Sequence, residues 1–194
     1  HALANQNISV GKTLIVTNEE HRFLALDQLR ELKDVNATLL LESVGRNTAP
    51  ALTLAALYAQ EQGNDPILVV TPADQTVADV NAFTGALKKA IEIAQENAIV
   101  ILGITPKSPD TGYGYIKVKN ERDGQYVVDR FVEKPNASTA EKYLKEGGYF
   151  WNGGMFVLKA SVWLSSLQTL RPDILEATQK SWAKKVVDAS TTAE

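Results

Sequence analysis

The chain has no cysteine and only two histidines, His1 and His21, among its 194 residues. Disulfide staples and thiolate zinc sites are therefore excluded, and carboxylates are the groups left to hold a metal. Such donors favour a hard, oxygen-loving ion, Mg²⁺ before Zn²⁺. No window reaches the apolar length of a membrane span, so no membrane partner is expected. A basic field is missing as well: the net charge is −3 with acids and bases interspersed, which argues against nucleic-acid phosphates as partners. No charged-then-apolar leader is visible, which makes the cytoplasm the expected location. What is present is a 44% hydrophobic composition, enough for one substantial core in one domain over residues 1–194.

Strands and helices alternate along the sequence. Residues 13–17 are a β-branched run, and Asn18 followed by Glu19 and Glu20 is a helix start with a capping side chain and acids in the first turn. A second apolar run, 38–41, ends at Glu42; beyond it Asn47 or Thr48 can cap a helix that takes Pro50 early. Residues 67–71 are too uniformly apolar for a strand with one wet face and suit a central strand covered on both sides. Val80, Phe83, Leu87, Ala90, Ile91 and Ala94 mark an amphipathic helix starting at Asp79, and 98–104 is the next apolar strand. This alternation predicts a three-layer α/β/α fold around a mostly parallel sheet. Strands 113–118 and 126–133 then flank a polar turn at 120–124 as an inserted β-hairpin. Ser138 with Glu141 reads as a capping box, 149–158 as a further strand, and Arg171-Pro172 as the break between two final helices.

Five short motifs sit where strands hand over to loops or helices, the place where open α/β sheets bind ligands. They are Glu42-Ser-Val-Gly-Arg-Asn-Thr-Ala-Pro50, Pro72-Ala-Asp-Gln75, Gly112-Tyr-Gly-Tyr115, Val132-Glu-Lys-Pro135 and Trp151-Asn-Gly-Gly-Met155. An aspartate such as Asp74 caps a following helix more often than it holds an ion. The 42–50 stretch is explained as a capping turn except for Glu42 and Arg46. Guanine presents a ring N–H and an amine, so either the Glu42 carboxylate or the Asn47 carbonyl could accept from it, and spacing does not choose between them. Gly112 to Tyr115 is a tight turn whose glycines also permit close backbone approach to a ligand. Glu133 and Lys134 are a solvated strand end, or an acceptor for sugar hydroxyls beside a cation for a phosphate. Trp151, Trp163 and Trp182 read as core or interface residues before stacking platforms.

In this order the motifs resemble the nucleotidyltransferases that make nucleotide sugars, and among them the guanylyltransferases acting on mannose 1-phosphate. The resemblance runs from Leu14 to about Leu175. It implies a Rossmann-like nucleotide-diphospho-sugar transferase fold, with GTP and mannose 1-phosphate as substrates, Mg²⁺ as cofactor, and a homodimer as a compatible assembly. Asp74 matches the family's metal aspartate, with Gln75 where the family has histidine. The string Gly45-Arg-Asn-Thr-Ala-Pro50 looks like its purine-reading segment, which makes Glu42, Arg46, Asn47 and Thr48 nucleotide-binding candidates. Gly114, Glu133 and Asn152 match sugar contacts, Lys134 a catalytic, phosphate-facing cation, and Gly153 replaces a serine. The family's glycine-rich phosphate loop has no counterpart here, nor has its second metal aspartate. The expectation is therefore a catalytic domain truncated at both ends, whose 194 residues do not turn over substrate alone. Two alternatives stand beside it: a uridylyl- or thymidylyltransferase of the same fold, and a non-catalytic nucleotide-sugar-binding module.

Overall fold

A computed structural model describes residues 10–32, 35–63, 65–122 and 124–188. His1 and the hairpin-turn residue Asp123 lie outside them. Strand β1 (Thr13–Asn18) leads through a 3-10 turn into α1 (Arg22–Glu31), and the Asn18 side chain caps that turn by accepting from the Glu20 N–H, as its sequence predicts. Next come β2 (Ala37–Glu42), α2 (Thr48–Glu61), β3 (Ile67–Val70), α3 (Val80–Gln95) and β4 (Val100–Ile104). Hairpin β5 (Tyr115–Arg122) and β6 (Gln125–Val132) follows, then α4 (Ala137–Glu146), β7 (Tyr149–Lys159), α5 (Ala160–Leu170) and α6 (Pro172–Trp182).

The organising element is β7, whose 11 residues are long enough to pair with three strands. It runs antiparallel to β3, to β4 and, at its beginning, to β5, which in turn pairs with β6. Strands β3 and β4 thus run parallel to each other, as their helix-linked order requires, with β7 inserted between them. β1 and β2 form a separate parallel pair. The sequence reading of residues 67–71 as a central strand is corrected here. Among the described residues β3 pairs with β7 alone, and Val69 keeps 37% of its surface exposed. Continuous apolarity reflects helices on both faces of β3 and says nothing about its hydrogen-bonding edges.

Those faces give the three layers. Ile67, Val100, Leu102 and Val157 pack against Leu87, Ala90 and Ala94 of α3, the apolar stripe read from the sequence, and Asp79 caps that helix by accepting from the Ala82 N–H at 2.9 Å. On the opposite face Leu68 meets Ala56 and Ala59 of α2 and Ala160, Trp163 and Leu164 of α5. Small alanines let these helices approach closely. Further along the sheet Tyr115, Val132, Tyr149 and Trp151 pack with Ala140 and Tyr143, which lie on α4. That helix starts differently from its predicted capping box: Asn136 is the cap, accepting from the Thr139 N–H at 2.9 Å, and the Ser138 hydroxyl donates to Asn136 Oδ1 at 3.0 Å. Asparagine two residues earlier takes the cap position, and the serine hydroxyl is engaged with its side-chain oxygen. Strand β5 also runs further into the expected turn, to Arg122, because a register irregularity near Asn120, at φ 49°, absorbs a turn-favouring residue within it.

Candidate functional site

The site is built around an irregularity in β7. Leu102 of β4 pairs with Met155, but the next residue, Gly103, pairs with Asn152, so Gly153 and Gly154 bulge out of the ladder. Gly154 sits at φ 68° with its backbone against Pro72, a conformation that favours glycine. The bulge is held from within, by Asn152 Oδ1 accepting from the Gly154 N–H at 3.1 Å. It is held from without by Gln75, whose Nε2 donates to the freed Gly153 carbonyl at 2.8 Å. That amide bond ties the Pro72-Ala-Asp-Gln75 loop, which follows β3, to β7. The exposed Asp74 carboxylate is thereby placed beside a cleft of about 360 Å³ lined by Asp74, Gln75, Thr76, Ile104, Tyr113, Trp151 and Gly153.

Strand register gathers the expected sugar contacts at one edge of this cleft. Tyr115 is paired with Val132 on one side and Trp151 on the other. The residue before Tyr115 is Gly114, and the residues after its two antiparallel partners are Glu133 and Asn152, so the neighbouring ends of β5 and β6 and the adjoining part of β7 carry the three groups. The Asn152 N–H donates to the Gly114 carbonyl at 2.8 Å. A side chain at Gly114 would bring its Cβ within 3.3 Å of the Val132 carbonyl, which explains the glycine by close packing. The Gly112–Gly114 turn is fixed by Asp110: its Oδ1 accepts from the Gly112 N–H at 2.6 Å, and its carbonyl accepts from the buried Tyr115 hydroxyl at 2.7 Å. Glu133 and Lys134 are exposed just past the end of β6, and among the described residues neither side chain has a hydrogen-bond or ion-pair partner.

The nucleotide-binding candidates lie elsewhere. Glu42 ends β2, Arg46 and Asn47 are exposed in the following turn, and Thr48 opens α2; none of them lines the Asp74 cleft. Asn47 stands at the α2 cap position with φ 68°, but its side chain makes no capping bond. The capping explanation of this turn accounts for its place in the chain and not for its amide, which stays free beside unpaired helix N–H groups. Burial raises the Glu42 carboxyl above its ordinary value of 4.5. A carboxyl with a raised folded value binds its proton more tightly when folded, so the protein loses stability as pH climbs from 4.5 upward. Glu42→Gln is accordingly expected to raise the thermal midpoint at pH 7, with the gain shrinking as the pH is lowered toward 4.5. A midpoint that drops at pH 7 would instead assign Glu42 a stabilising contact.

Sequence reasoning missed the structural part played by Gln75, and Tyr113, Thr76 and Ile104 as cleft walls. It read Trp151 as a core or interface residue, which its packing against the Tyr115, Ala140 and Tyr149 cluster bears out, and did not place it on the cleft as well. Trp163, donating to Thr53 at 3.0 Å, and Trp182, donating to Glu61 at 2.6 Å, do serve structure, whereas Trp151 faces both the α4 cluster and the cleft. A second depression, of about 430 Å³ beside α5, is lined by Asn97, Ser161, Val162, Ser165 and Ser166 and brings no charged group. Among the described residues no three histidines or carboxylates cluster to cage a metal, and no helix is long and apolar enough to cross a membrane.

Carboxylate, amide and glycine turns stand at the strand ends of this α/β fold, the place where open α/β sheets bind ligands. The chain belongs to the nucleotidyl transferase family, whose profile matches residues 1–194. It is 46% identical over 176 residues to a mannose-1-phosphate guanylyltransferase of Escherichia coli, covering 89% of this chain and 37% of that protein. It is 44% identical over 190 residues to the xanthan biosynthesis protein XanB of Xanthomonas campestris pv. campestris, covering 98% and 40%. A crystal structure described as mannose-6-phosphate isomerase from Helicobacter pylori matches with a TM-score of 0.79 and 40% identity, over 90% of this chain and 66% of that one. The chain thus spans about 40% of the length of the curated relatives it matches.

Proposed function

We propose that this chain carries the base- and sugar-reading part of a mannose-1-phosphate guanylyltransferase, which joins GTP and mannose 1-phosphate into GDP-mannose and pyrophosphate. The observation that supports it most is the convergence of Asp74, Gly114, Glu133 and Asn152 through the β7 bulge and its flanking registers, in a chain 46% identical to an enzyme of that name. A phosphate oxygen of the sugar phosphate would attack the α-phosphorus of GTP in line, forming one P–O bond as the bond to the β-phosphate oxygen breaks. No side chain need become covalently attached, so the protein's contribution is orientation and charge neutralisation.

Each residue then has a defined task. Glu133 accepts from vicinal hydroxyls of the mannose, the Gly114 backbone and Asn152 fix the same ring, and Lys134 faces its phosphate. Glu42 or the Asn47 carbonyl accepts from the guanine N–H groups, Thr48 and the α2 N-terminus complete that end, and Arg46 stands by the phosphates. Asp74 is the group that would hold Mg²⁺. One carboxylate is a sufficient protein ligand for an ion that keeps several waters and takes phosphate oxygens from its substrates. When bound, that ion neutralises phosphate charge. Phosphorylated, water-soluble substrates suit a cytoplasmic reaction, and GDP-mannose is an activated donor for polysaccharide assembly.

Calorimetric titration tests the reading directly. Mannose 1-phosphate is expected to bind this chain at least tenfold more tightly than glucose 1-phosphate, and GTP more tightly than UTP or dTTP; such ratios are what one or two unpaired buried polar groups impose on a wrong ligand, about 1–3 kcal/mol each. Equal affinity for the three nucleotides would overturn guanine recognition. Turnover is read separately, as pyrophosphate release by a polypeptide spanning the full length of the relatives.

A further inference from the structure

Trp151 holds the one buried side-chain polar atom among the described residues that lacks a hydrogen-bond partner, its indole Nε1. A sealed N–H without an acceptor pays its desolvation cost and gets nothing back, which is why such groups are rare and call for a reason. The fold is able to satisfy indoles: Trp163 donates to Thr53 Oγ1 and Trp182 to Glu61 Oε1. The exception is the tryptophan that lines the Asp74 cleft. Its backbone is gripped on both sides, paired with Ile104 of β4 and with Tyr115 of β5, and its ring packs against the Tyr115, Ala140 and Tyr149 cluster. Its other neighbour in the cleft is Tyr113, whose ring lies 5.2 Å away at 37° and is 46% exposed. Tyr113 sits between Gly112 and Gly114, and among the described residues its hydroxyl makes no hydrogen bond.

We propose that Trp151 is a ligand-binding residue whose indole N–H is reserved for an oxygen of a hexose phosphate, while the Trp151 and Tyr113 rings together form the apolar wall against which the pyranose C–H face rests. The proposal rests on the sugar-reading role given to this cleft above. A pyranose has apolar faces and a rim of acceptor oxygens, and a fixed aromatic wall with one unspent donor complements both. The cleft bears on the sugar and not on the base, because Gly114 and Asn152 adjoin Trp151 and the Glu42 to Thr48 turn does not line it. Tyr113, exposed and on a glycine-flanked turn, is the ring that shifts to let the oxygen reach the N–H.

Two measurements test this. In nitrogen-labelled chain, titration with mannose 1-phosphate is expected to move one of the three indole N–H resonances downfield and slow its exchange with solvent, and GTP alone is expected to leave it in place. Trp151→Phe, which deletes the donor and keeps an aromatic ring, is expected to weaken mannose 1-phosphate by about tenfold, the worth of one hydrogen bond, without affecting GTP or lowering the thermal midpoint. The resonance experiment needs no variant and stands if Trp151→Phe does not fold. If mannose 1-phosphate binds while no indole resonance responds, the reserved donor is disproved and the functional reading survives. If mannose 1-phosphate does not bind the unaltered chain at all, the sugar-reading role of the cleft falls and this proposal with it.

Discussion

Asp74→Asn is expected to lower pyrophosphate release by about 10²–10³-fold, the usual effect of removing one preorganised electrostatic group from a site where charge develops. The measurement is made in a polypeptide spanning the length of the relatives, at saturating GTP and mannose 1-phosphate. Asp74 is exposed and, among the described residues, its carboxylate has no hydrogen-bond or ion-pair partner, so the thermal midpoint is expected to stay put. The loop that carries it is anchored by its neighbour, through the Gln75 amide to the Gly153 carbonyl at 2.8 Å. Asparagine keeps the volume and the loop while removing the charge that would meet Mg²⁺. Raising the Mg²⁺ concentration should recover part of the rate, because the ion still has phosphate oxygens to bind. An unchanged rate would remove Asp74 from the site, and a lost rate with a lowered midpoint would show that it holds the fold.

Glu133→Gln is expected to weaken mannose 1-phosphate by about tenfold to a hundredfold while leaving GTP within about twofold, since a hydrogen bond to a charged acceptor contributes about 1.5–3 kcal/mol. The selectivity follows from register. Glu133 continues the strand that places Val132 opposite Tyr115, next to Gly114 and Asn152, and it lies apart from the β2 to α2 turn that carries the nucleotide candidates. Lys134→Gln is expected to act on the same ligand through its phosphate, with a loss that shrinks as salt is added because an exposed cation is screened. Equal losses for the sugar phosphate and for GTP would show that the β6 end supports the fold rather than reading the sugar.

Much of this was legible in the chain itself. Local chemistry announces local structure: the caps at Asn18 and Asp79, the α3 stripe, and the break at Pro172 all act within a few residues of where they stand. The misreadings share one cause, a competing partner that the pattern itself does not show, near in one case and far in the other. Ser138 reads as a cap, yet Asn136 two residues earlier takes the Thr139 N–H and the serine hydroxyl itself donates to Asn136. The 67–71 run looked central because apolarity reports covered faces, while strand neighbours are chosen by β7, about 90 residues further on.

The same division runs through the candidate site. Sequence alone determined which groups are available, a carboxylate after β3, a free amide and an acid around Asn47 and Glu42, an acid–base pair after β6 and two glycines in β7, because residue type and turn chemistry are written locally. Only the tertiary structure decided which of them meet. The bulge at Gly153 and Gly154, the Gln75 bond to it, and the pairing of Tyr115 with both Val132 and Trp151 tie the Asp74 loop to β7 and set Gly114, Glu133 and Asn152 on neighbouring strands. Trp151, read as a core or interface residue, packs on the core and also walls the cleft by the same means, since its backbone pairs with two strands that no nearby residue specifies. A one-residue slip of a strand in either ladder would turn its side chains to the other face of the sheet, and register is a property of the paired strands together.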